Sequence, residues 1–220
     1  FALGGVLLEL NGDEVLAVGT DGRRLARVQG TGKSIGGHQT SGNATIIPTR
    51  SLTLMERSIG DKEEVVQIAS RGNDVLLRTG RSTIYSRLVE GRYPNWRQVI
   101  PQRDDAVDIS MMVGPFYNVI RQAAIVADLE TRGLDFEFGD GTLVLTAKTA
   151  DLGQSRVELP IDYEGEPIKL KLDYRFVSDF LKVLDINTSF KMNIASSTQP
   201  ALMTTADGYA YVVMPMAMDG

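Results

Sequence analysis

The chain has 220 residues, of which 43% are hydrophobic, and it carries no cysteine and a formal net charge of -5. This length accommodates two domains of about 100 residues, and the lack of cysteine excludes disulfides, thiolate metal sites and cysteine nucleophiles. No apolar run reaches the roughly 18 residues of a membrane helix and no signal sequence opens the chain, so we expect a cytoplasmic protein without membrane contact, whose acidic balance disfavours blanket electrostatic binding of nucleic acid.

The first part of the chain predicts an antiparallel sheet. Apolar stretches separated by Asn-Gly and Asp-Gly pairs indicate strands, because such pairs supply the positive φ angles of tight turns. The predicted strands are Leu3–Leu10, Val15–Thr20 and Arg24–Gln29. Residues 30–43 are rich in glycine and lack a burial pattern, so we expect a mobile loop there.

A short amphipathic helix is predicted after this loop. Pro48 suits the start of a helix and Gly60 its end. Between them, Leu52, Met55 and Ile59 recur at helical spacing. Three strands are predicted next, at 64–70, 75–79 and 82–90, followed by a proline-bounded connector at 91–101.

The second half predicts a helix followed by strands, twice. The first helix is predicted at 111–128, with strands at 134–138, 143–149 and 153–159. A strand at 167–172 leads into the second helix, which Asp173 caps and which reaches Leu184, with strands at 189–195, 201–205 and 209–216. We therefore predict an α+β fold of two tandem domains, 1–102 and 103–220, with short helices packed on antiparallel sheets and the opening helix of the first domain absent.

Three segments carry a resemblance to a known family. Residues 18–26 (VGTDGRRLA), 86–101 (SRLVEGRYPNWRQVIP) and 211–216 (YVVMPM) are similar to signature stretches of bacterial DNA polymerase III sliding clamps. They stand in the order and at the spacing of the second and third domains of that family. The resemblance implies tandem DNA-clamp domains in a chain that lacks the first domain and the opening helix of the second.

The resemblance implies a processivity factor with no catalytic residues, cofactor or metal. Full-length members of the family form head-to-tail homodimer rings around duplex DNA. They bind the DNA polymerase III catalytic subunit, the clamp loader and other polymerases or repair proteins through short motifs that contain Gln and bulky apolar residues. Because ring closure uses the first domain, we expect these 220 residues alone to be a monomer.

The resemblance also implies a peptide-binding pocket between the two domains. One side is assigned to Leu3, Thr20, Gly22, Arg24, Leu25, Pro94, Gln98 and Val99, and the other to Phe176, Val177, Pro200, Val212, Met214, Pro215 and Met216. Taken singly, Thr20-Asp21-Gly22 is typical of a plain hairpin turn, and Val212 and Met214 of a strand in a core. Their joint occurrence favours the pocket, although Arg23, Gln98 and Ala217 differ from residues frequent in the family, so we expect a different peptide affinity.

Cations on the predicted helices are candidates for a face that lines the DNA channel. Arg50 and Arg57 lie seven residues apart, so they share a helix face, and Arg175 and Lys182 do the same on another helix. Arg121 and Arg132 are assigned to the helix at 111–128 and its exit. Charges on an exposed helix face are usually only solvated, whereas in a ring they would form a diffuse lining along which DNA slides without base readout. The acidic excess is then expected on the outer surface of the ring.

Other classes of function are less well supported by the sequence. His38 is the single histidine and lies in the glycine-rich loop, so a Ser-His-Asp triad or a histidine metal cluster is not expected. A hydrolase that uses only carboxylates, a protein that binds duplex DNA without a ring and a clamp-like adaptor that binds peptides without encircling DNA stay open. Asp219-Gly220 extends past the usual end of the family.

Overall fold

Short antiparallel strands alternate with helices in a computed structural model that describes residues 1–36, 44–60, 64–103 and 105–218. The chain divides into two units, Phe1–Gln98 and Val99–Gly220. The predicted α+β fold of short helices and antiparallel sheets is confirmed. No helix of the described residues is long and apolar enough to span a membrane.

The first unit contains two groups of antiparallel strands and one α-helix among its described residues. The strands are β1 (Gly5–Asn11), β2 (Glu14–Thr20), β3 (Arg24–Thr31), β4 (Thr45–Pro48), β5 (Gln67–Arg71), β6 (Asp74–Arg78) and β7 (Thr83–Arg87). The α-helix is α1 (Thr49–Ser58), and a 3-10 turn follows at Trp96–Gln98. One group pairs in the order β4-β1-β2-β3 and the other in the order β5-β6-β7.

The core of the first unit lies between α1 and both groups of strands. Met55 is the buried residue of α1, and it packs in one cluster with Leu8 and Ile47 from one group and Val75 and Leu77 from the other. Alternation along β6 sends Val75 and Leu77 inward and Leu76 and Arg78 outward, as a half-buried antiparallel strand requires.

The second unit is built from two copies of one pattern: strand, helix, then three strands. The first copy is β8 (Val107–Met112), α2 (Val113–Ala123), β9 (Gly133–Gly139), β10 (Thr142–Thr149) and β11 (Gly153–Pro160). The second is β12 (Ile168–Asp173), α3 (Tyr174–Lys182), β13 (Ser189–Ile194), β14 (Ala201–Thr204) and β15 (Ala210–Val213). The copies exchange their first strands, because β8 pairs with β13 and β12 pairs with β9.

Each of the three α-helices in the described ranges follows its strand without a loop, and the same hydrogen bond begins each of them. The strand before each helix pairs with a neighbouring strand. The first amide of the helix donates to the carbonyl of the residue that immediately precedes this neighbouring strand. This leaves one fewer unpaired N–H at the helix start. The three bonds are Thr49 N to Gly4 O at 3.2 Å, Val113 N to Thr188 O at 3.0 Å and Tyr174 N to Arg132 O at 3.0 Å.

Aromatic side chains fill the core of the second unit. The fully buried Phe116 of α2 lies against Phe136 and Phe190, with ring centroids 6.4 and 5.6 Å apart. Phe180 of α3 meets Phe190 edge-on at 5.3 Å. Both helices therefore bury an aromatic ring against a common strand, which fixes them to the sheets.

Two leading strands were missed, and several predicted boundaries were wrong. Val107–Met112 is strand β8, so the helix predicted at 111–128 begins at Val113 and ends at Ala123. Thr45–Pro48 is strand β4, and α1 ends at Ser58 rather than Gly60. The predicted strand 209–216 stops at Val213, and helix α3 stops at Lys182. Of the predicted glycine-rich loop, Gly30 and Thr31 belong to β3, while 37–43, with His38, lie outside the described residues.

Candidate functional site

The turn between β2 and β3 is held by its own side chains. Asp21 Oδ1 accepts hydrogen bonds from the amides of Arg23 at 3.0 Å and Arg24 at 3.1 Å. Thr20 Oγ1 donates to the carbonyl of Arg24 at 2.7 Å and accepts from the amide of Gly22 at 3.2 Å. Gly22 has φ +89, a conformation that a residue without Cβ adopts freely. The turn therefore has a fixed shape without any ligand.

The Asp21 carboxylate is also an electrostatic anchor. Burial acts to raise its pKa, but hydrogen bonds from the Arg23 amide and from the Arg24 side chain and amide outweigh that effect and hold the pKa below its ordinary value. The Arg24 Nε lies 3.0 Å from Asp21 Oδ2. The Arg24 guanidinium is thus fixed at the turn beside Thr20.

The connector after β7 is fastened to the first unit close to this turn. Tyr93 Oη donates to the carbonyl of Val18 on β2 at 2.7 Å, and the Ala2 amide donates to the Arg92 carbonyl at 3.1 Å. These bonds hold the segment before Pro94 against the start of the chain and against β2. Tyr93 was not among the predicted site residues, although an aromatic ring next to a proline in the resemblance segment was the available signal.

Exposure divides the predicted peptide-binding residues into three sets. The buried members are Leu25, Val177 and Val212; the half-buried members are Thr20, Arg24, Pro94, Phe176, Pro200, Pro215 and Met216; the exposed members are Leu3, Gly22, Gln98, Val99 and Met214. Leu25 and Val212 are 2% and 1% exposed, so they are core side chains that support their neighbours. Leu3 and Met214, each 41% exposed, present apolar surface.

The C-terminal segment of the second unit leaves its sheet just before Met214. Strand β15 ends at Val213, and Met216 then donates its amide to the Lys171 carbonyl of β12 at 2.8 Å. Met214 lies between these two anchors, so its backbone is held while its side chain stays exposed. On α3, Asp173 accepts the amide of Arg175 at 2.9 Å and caps the helix that carries Phe176.

A separate depression of the first unit contains few of the predicted residues. This open groove of about 900 Å³ is lined by one side of β1 (Leu7, Glu9 and Asn11), the Gly72-Asn73 turn and residues 88–97. Pro94 is the one predicted peptide-binding residue among its lining residues. One wall is closed by Arg97, which pairs with Glu9 at 2.6 Å and stacks 4.2 Å over the Trp96 ring. The groove is a weaker candidate than the predicted residues, because Pro94 alone of them lines it.

The predicted cations differ in how far they are available to an external anion. Arg50, Arg57 and Arg121 are exposed, and no described carboxylate forms an ion pair with them. Lys182 pairs with Asp179 at 3.4 Å, and Arg175 pairs with the capping Asp173 at 2.9 Å. The last two charges are therefore partly neutralised by neighbours on their own segment.

Arg132 does not lie on a helix. It stands nine residues after the end of α2 with φ +59, and its Nε donates to the Leu129 carbonyl at 3.0 Å. Its carbonyl accepts the first amide of α3. The assignment of Arg132 to the helix exit as a channel cation is therefore not supported by its geometry, because the side chain folds back onto its own turn.

The charge is divided unevenly between the two units. Residues 1–98 hold thirteen Lys and Arg against ten Asp and Glu, whereas residues 99–220 hold ten against eighteen. The excess of acid that gives the net charge of -5 thus belongs to the second unit. That this excess lies on the outer surface of a ring stays a prediction.

Comparison with known proteins accounts for nearly the whole chain. Residues 1–95 match the family model described as DNA polymerase III beta subunit, central domain, and residues 97–217 match the model described as its C-terminal domain. The chain belongs to the DNA polymerase III beta subunit family. A beta sliding clamp of Pseudomonas putida is 28% identical to it over 224 residues, and one of Escherichia coli is 28% identical over 223 residues. Each alignment covers 99% of this chain.

A solved structure shares the fold of this beta-subunit family chain. The DNA polymerase sliding clamp from Pseudomonas aeruginosa superimposes with a TM-score of 0.90 at 25% identity and covers 99% of this chain. The chain spans 59% of the length of that clamp and of the Pseudomonas putida relative.

Three acidic side chains of this family member hold turns of the described chain. Among residues 1–36, 44–60, 64–103 and 105–218, no group of three or more His, Asp and Glu side chains could hold a metal ion. The carboxylates whose pKa is lowered, Asp21, Asp128 and Asp207, each hydrogen-bond within their own turn. These shifts are explained by turn geometry rather than by a paired acid and base.

Proposed function

We propose that this chain is the central and C-terminal part of a bacterial sliding clamp. As part of a ring around duplex DNA in the cytoplasm, it tethers the replicative polymerase and catalyses no reaction. The observation that carries the proposal is the match of both family domains in order, together with a Thr20–Arg24 turn whose shape is preset by its own hydrogen bonds. A tethered polymerase acts at high effective concentration on its template. We propose residues 1–102 and 103–220 as its functional domains.

The proposed partners are short peptide segments of the polymerase catalytic subunit, the clamp loader and other polymerases or repair proteins. Support comes from apolar side chains that stay exposed on ordered backbone, Leu3 in the first unit and Met214 in the second. The preset turn adds a fixed Arg24 guanidinium and the Thr20 hydroxyl as polar contacts. A rigid receptor loses little conformational entropy when a peptide binds, which favours affinity.

Duplex DNA is the second proposed partner, and it is bound through phosphates alone. Arg50 and Arg57 lie on the exposed side of α1, opposite the buried Met55, and the first unit carries the excess of cations. Arg121 on α2 adds an exposed cation from the second unit. Phosphate contacts of this kind carry no sequence information, which suits a ring that must slide.

We also propose that the second unit supplies one half of a ring-closing interface. Strand β11 is one of the two edges of the sheet ordered β11-β10-β9-β12, and a sheet edge offers unpaired backbone groups to another chain. Ile125 lies in the 3-10 turn Ala124–Val126, which contacts β11, and Ile125 and Leu129, which is nearby in the sequence, are 75% and 78% exposed. In a chimera that places the first domain of a relative before residue 1, Ile125→Glu with Leu129→Glu should convert a sedimenting dimer into a monomer, and an unchanged dimer would contradict this interface.

The experiment for the peptide function is a fluorescence-polarisation titration. A labelled peptide with a Gln and bulky apolar residues is titrated with the 220-residue chain, beside a matched peptide in which Gln is Ala and the apolar residues are Ser. Saturable binding of the first peptide alone supports the proposal. Equal or absent binding of both by a folded chain contradicts it.

A further inference from the structure

Arg103 joins the start of the second unit to the turn between β13 and β14. Its Nη2 donates to the Pro200 carbonyl at 2.8 Å and lies 3.4 Å from Asn193 Oδ1. Its Nη1 donates to the Gln199 side-chain oxygen. One guanidinium thus contacts the last two residues of the turn and a residue of the strand that precedes it.

These contacts belong to a polar network that crosses two strands. Asn193 Nδ2 donates to Asp108 Oδ1 at 2.9 Å, and Lys191 Nζ lies 3.7 Å from Asp108 Oδ2. Asp108 and Asn193 are direct partners in the β8–β13 register. The guanidinium is therefore tied, through Asn193, to the end of the β8–β13 strand pair from which the turn departs, and this hydrogen-bonded ladder is a base from which to hold the turn.

The way in which Arg103 is held is unusual for a cation. Its three acceptors are two amide oxygens and one backbone carbonyl, and no described carboxylate forms an ion pair with it. Its Nε is buried and has no hydrogen-bond partner among the described residues. A half-buried charge that leaves one donor unpaired is costly for stability alone. The arrangement fixes the turn at a cost that a simple apolar contact would avoid.

We propose that Arg103 is a positioning residue for peptide binding, which holds the Gln199-Pro200 turn in its binding conformation. The proposal rests on the proposed function, in which Pro200 contacts the peptide. Arg103 itself touches the turn and not the peptide. Without the guanidinium, residues 195–200 sample other conformations and only a fraction of the molecules is ready to bind. The apparent Kd rises in inverse proportion to that fraction.

The test compares Arg103→Ala, Arg103→Lys and Gln199→Ala with wild type in the same polarisation titration. Arg156→Ala is the matched control, because Arg156 is an exposed arginine of the second unit that pairs with Glu158 at 2.7 Å. We expect Arg103→Ala to weaken the peptide about tenfold, equivalent to about 1.4 kcal/mol, mainly through slower association. Lysine has one ammonium group in place of the fork, so Arg103→Lys should lose about threefold, and Gln199→Ala should fall between lysine and wild type.

Amide hydrogen exchange in the free protein supplies a readout that a general loss of stability would not reproduce. Arg103→Ala should accelerate exchange at residues 196–199 and 201 while the strands β9 and β10 keep wild-type protection. Wild-type affinity in Arg103→Ala, or unchanged exchange in the turn, overturns the proposal. If amide exchange accelerates equally across the whole second unit in both Arg103 variants, and peptide affinity falls in proportion to that loss of stability, the role of Arg103 is purely structural and the proposal is overturned. Absence of peptide binding by wild type refutes the proposed function instead, and exchange then still decides whether Arg103 holds the turn.

Discussion

Truncation of Met214 should weaken peptide binding by an amount that its exposure sets. Full burial of a methionine side chain contributes roughly 1.5–3 kcal/mol. Met214 is 41% exposed, so the part that a peptide can still cover is worth roughly 0.6–1.2 kcal/mol. Met214→Ala should therefore raise the Kd about three- to eightfold, since 1.4 kcal/mol corresponds to a factor of ten.

Met112→Ala is the control for this prediction. Met112 belongs to the same unit and is 43% exposed, but it lies on β8 and is not a predicted contact. Both variants should melt within a few degrees of wild type, because each removes a partly exposed side chain. Isothermal titration calorimetry with the motif peptide measures both affinities. Equal affinities of the two variants would refute the reasoning, and so would a loss of more than about thirtyfold in Met214→Ala, which exposed area cannot supply.

Three other perturbations have definite expected outcomes. Because the folded pKa of Asp21 is lowered, its contribution to stability is present above the unfolded pKa of about 3.9 and is lost as the pH falls through the folded value. Below about pH 4 the melting temperature should therefore decrease more steeply with pH for wild type than for Asp21→Asn. Parallel curves of melting temperature against pH would contradict this. The double variant Arg50→Ala and Arg57→Ala should weaken duplex DNA binding at low salt, measured by fluorescence polarisation. The slope of log K against log salt should fall by about 0.9 for each phosphate that is no longer neutralised. An unchanged slope would exclude both arginines from the DNA-binding face. Phe116→Ala should cost about 3–5 kcal/mol in urea unfolding, because its ring is fully buried among other aromatic rings, and a decrease below about 1 kcal/mol would contradict that packing.

The helices and most strands were predictable because the local signals are strong. Strand β12 alternates Ile168, Leu170 and Leu172 with lysines, and Asp173 marks the helix start, so both elements were found close to their true limits. Val107, Ile109 and Met111 alternate in the same way along β8. In the sequence this alternation is obscured, because Met111, Met112 and Val113 form a continuous apolar run across the junction of β8 and α2. The run extends the helical pattern of α2 backwards, so the helix was predicted to begin at Met111.

Strand β4 was harder to predict for a different reason. It has four residues, Thr45–Pro48, and follows the glycine-rich segment, so no period could be established. Its pairing with β1 depends on contacts about forty residues away in sequence. Because β4 and β8 were missed, the sequence did not show that each described helix directly follows a strand. It also did not show that the first helix amide bonds to the residue before the neighbouring strand.

The candidate site shows the same division between local and distant information. The resemblance segments located the Thr20–Arg24 turn, and the turn residues themselves explain its hydrogen bonds. Exposure is set by tertiary packing, so the sequence could not separate the buried Val212 from the exposed Met214 two residues later. Arg103 lies ninety-six residues or more from Gln199 and Pro200, and no local pattern indicates that contact.

The most direct test of the peptide-binding surface is chemical-shift mapping of the isotope-labelled chain during titration with the motif peptide. The proposal predicts that the largest shifts fall on the Thr20–Leu25 turn, on Gln98 and Val99, and on Pro200 and Met214–Met216. Shifts confined to the groove formed by Gly72, Asn73 and residues 88–93, or no shifts at saturating peptide, would contradict it.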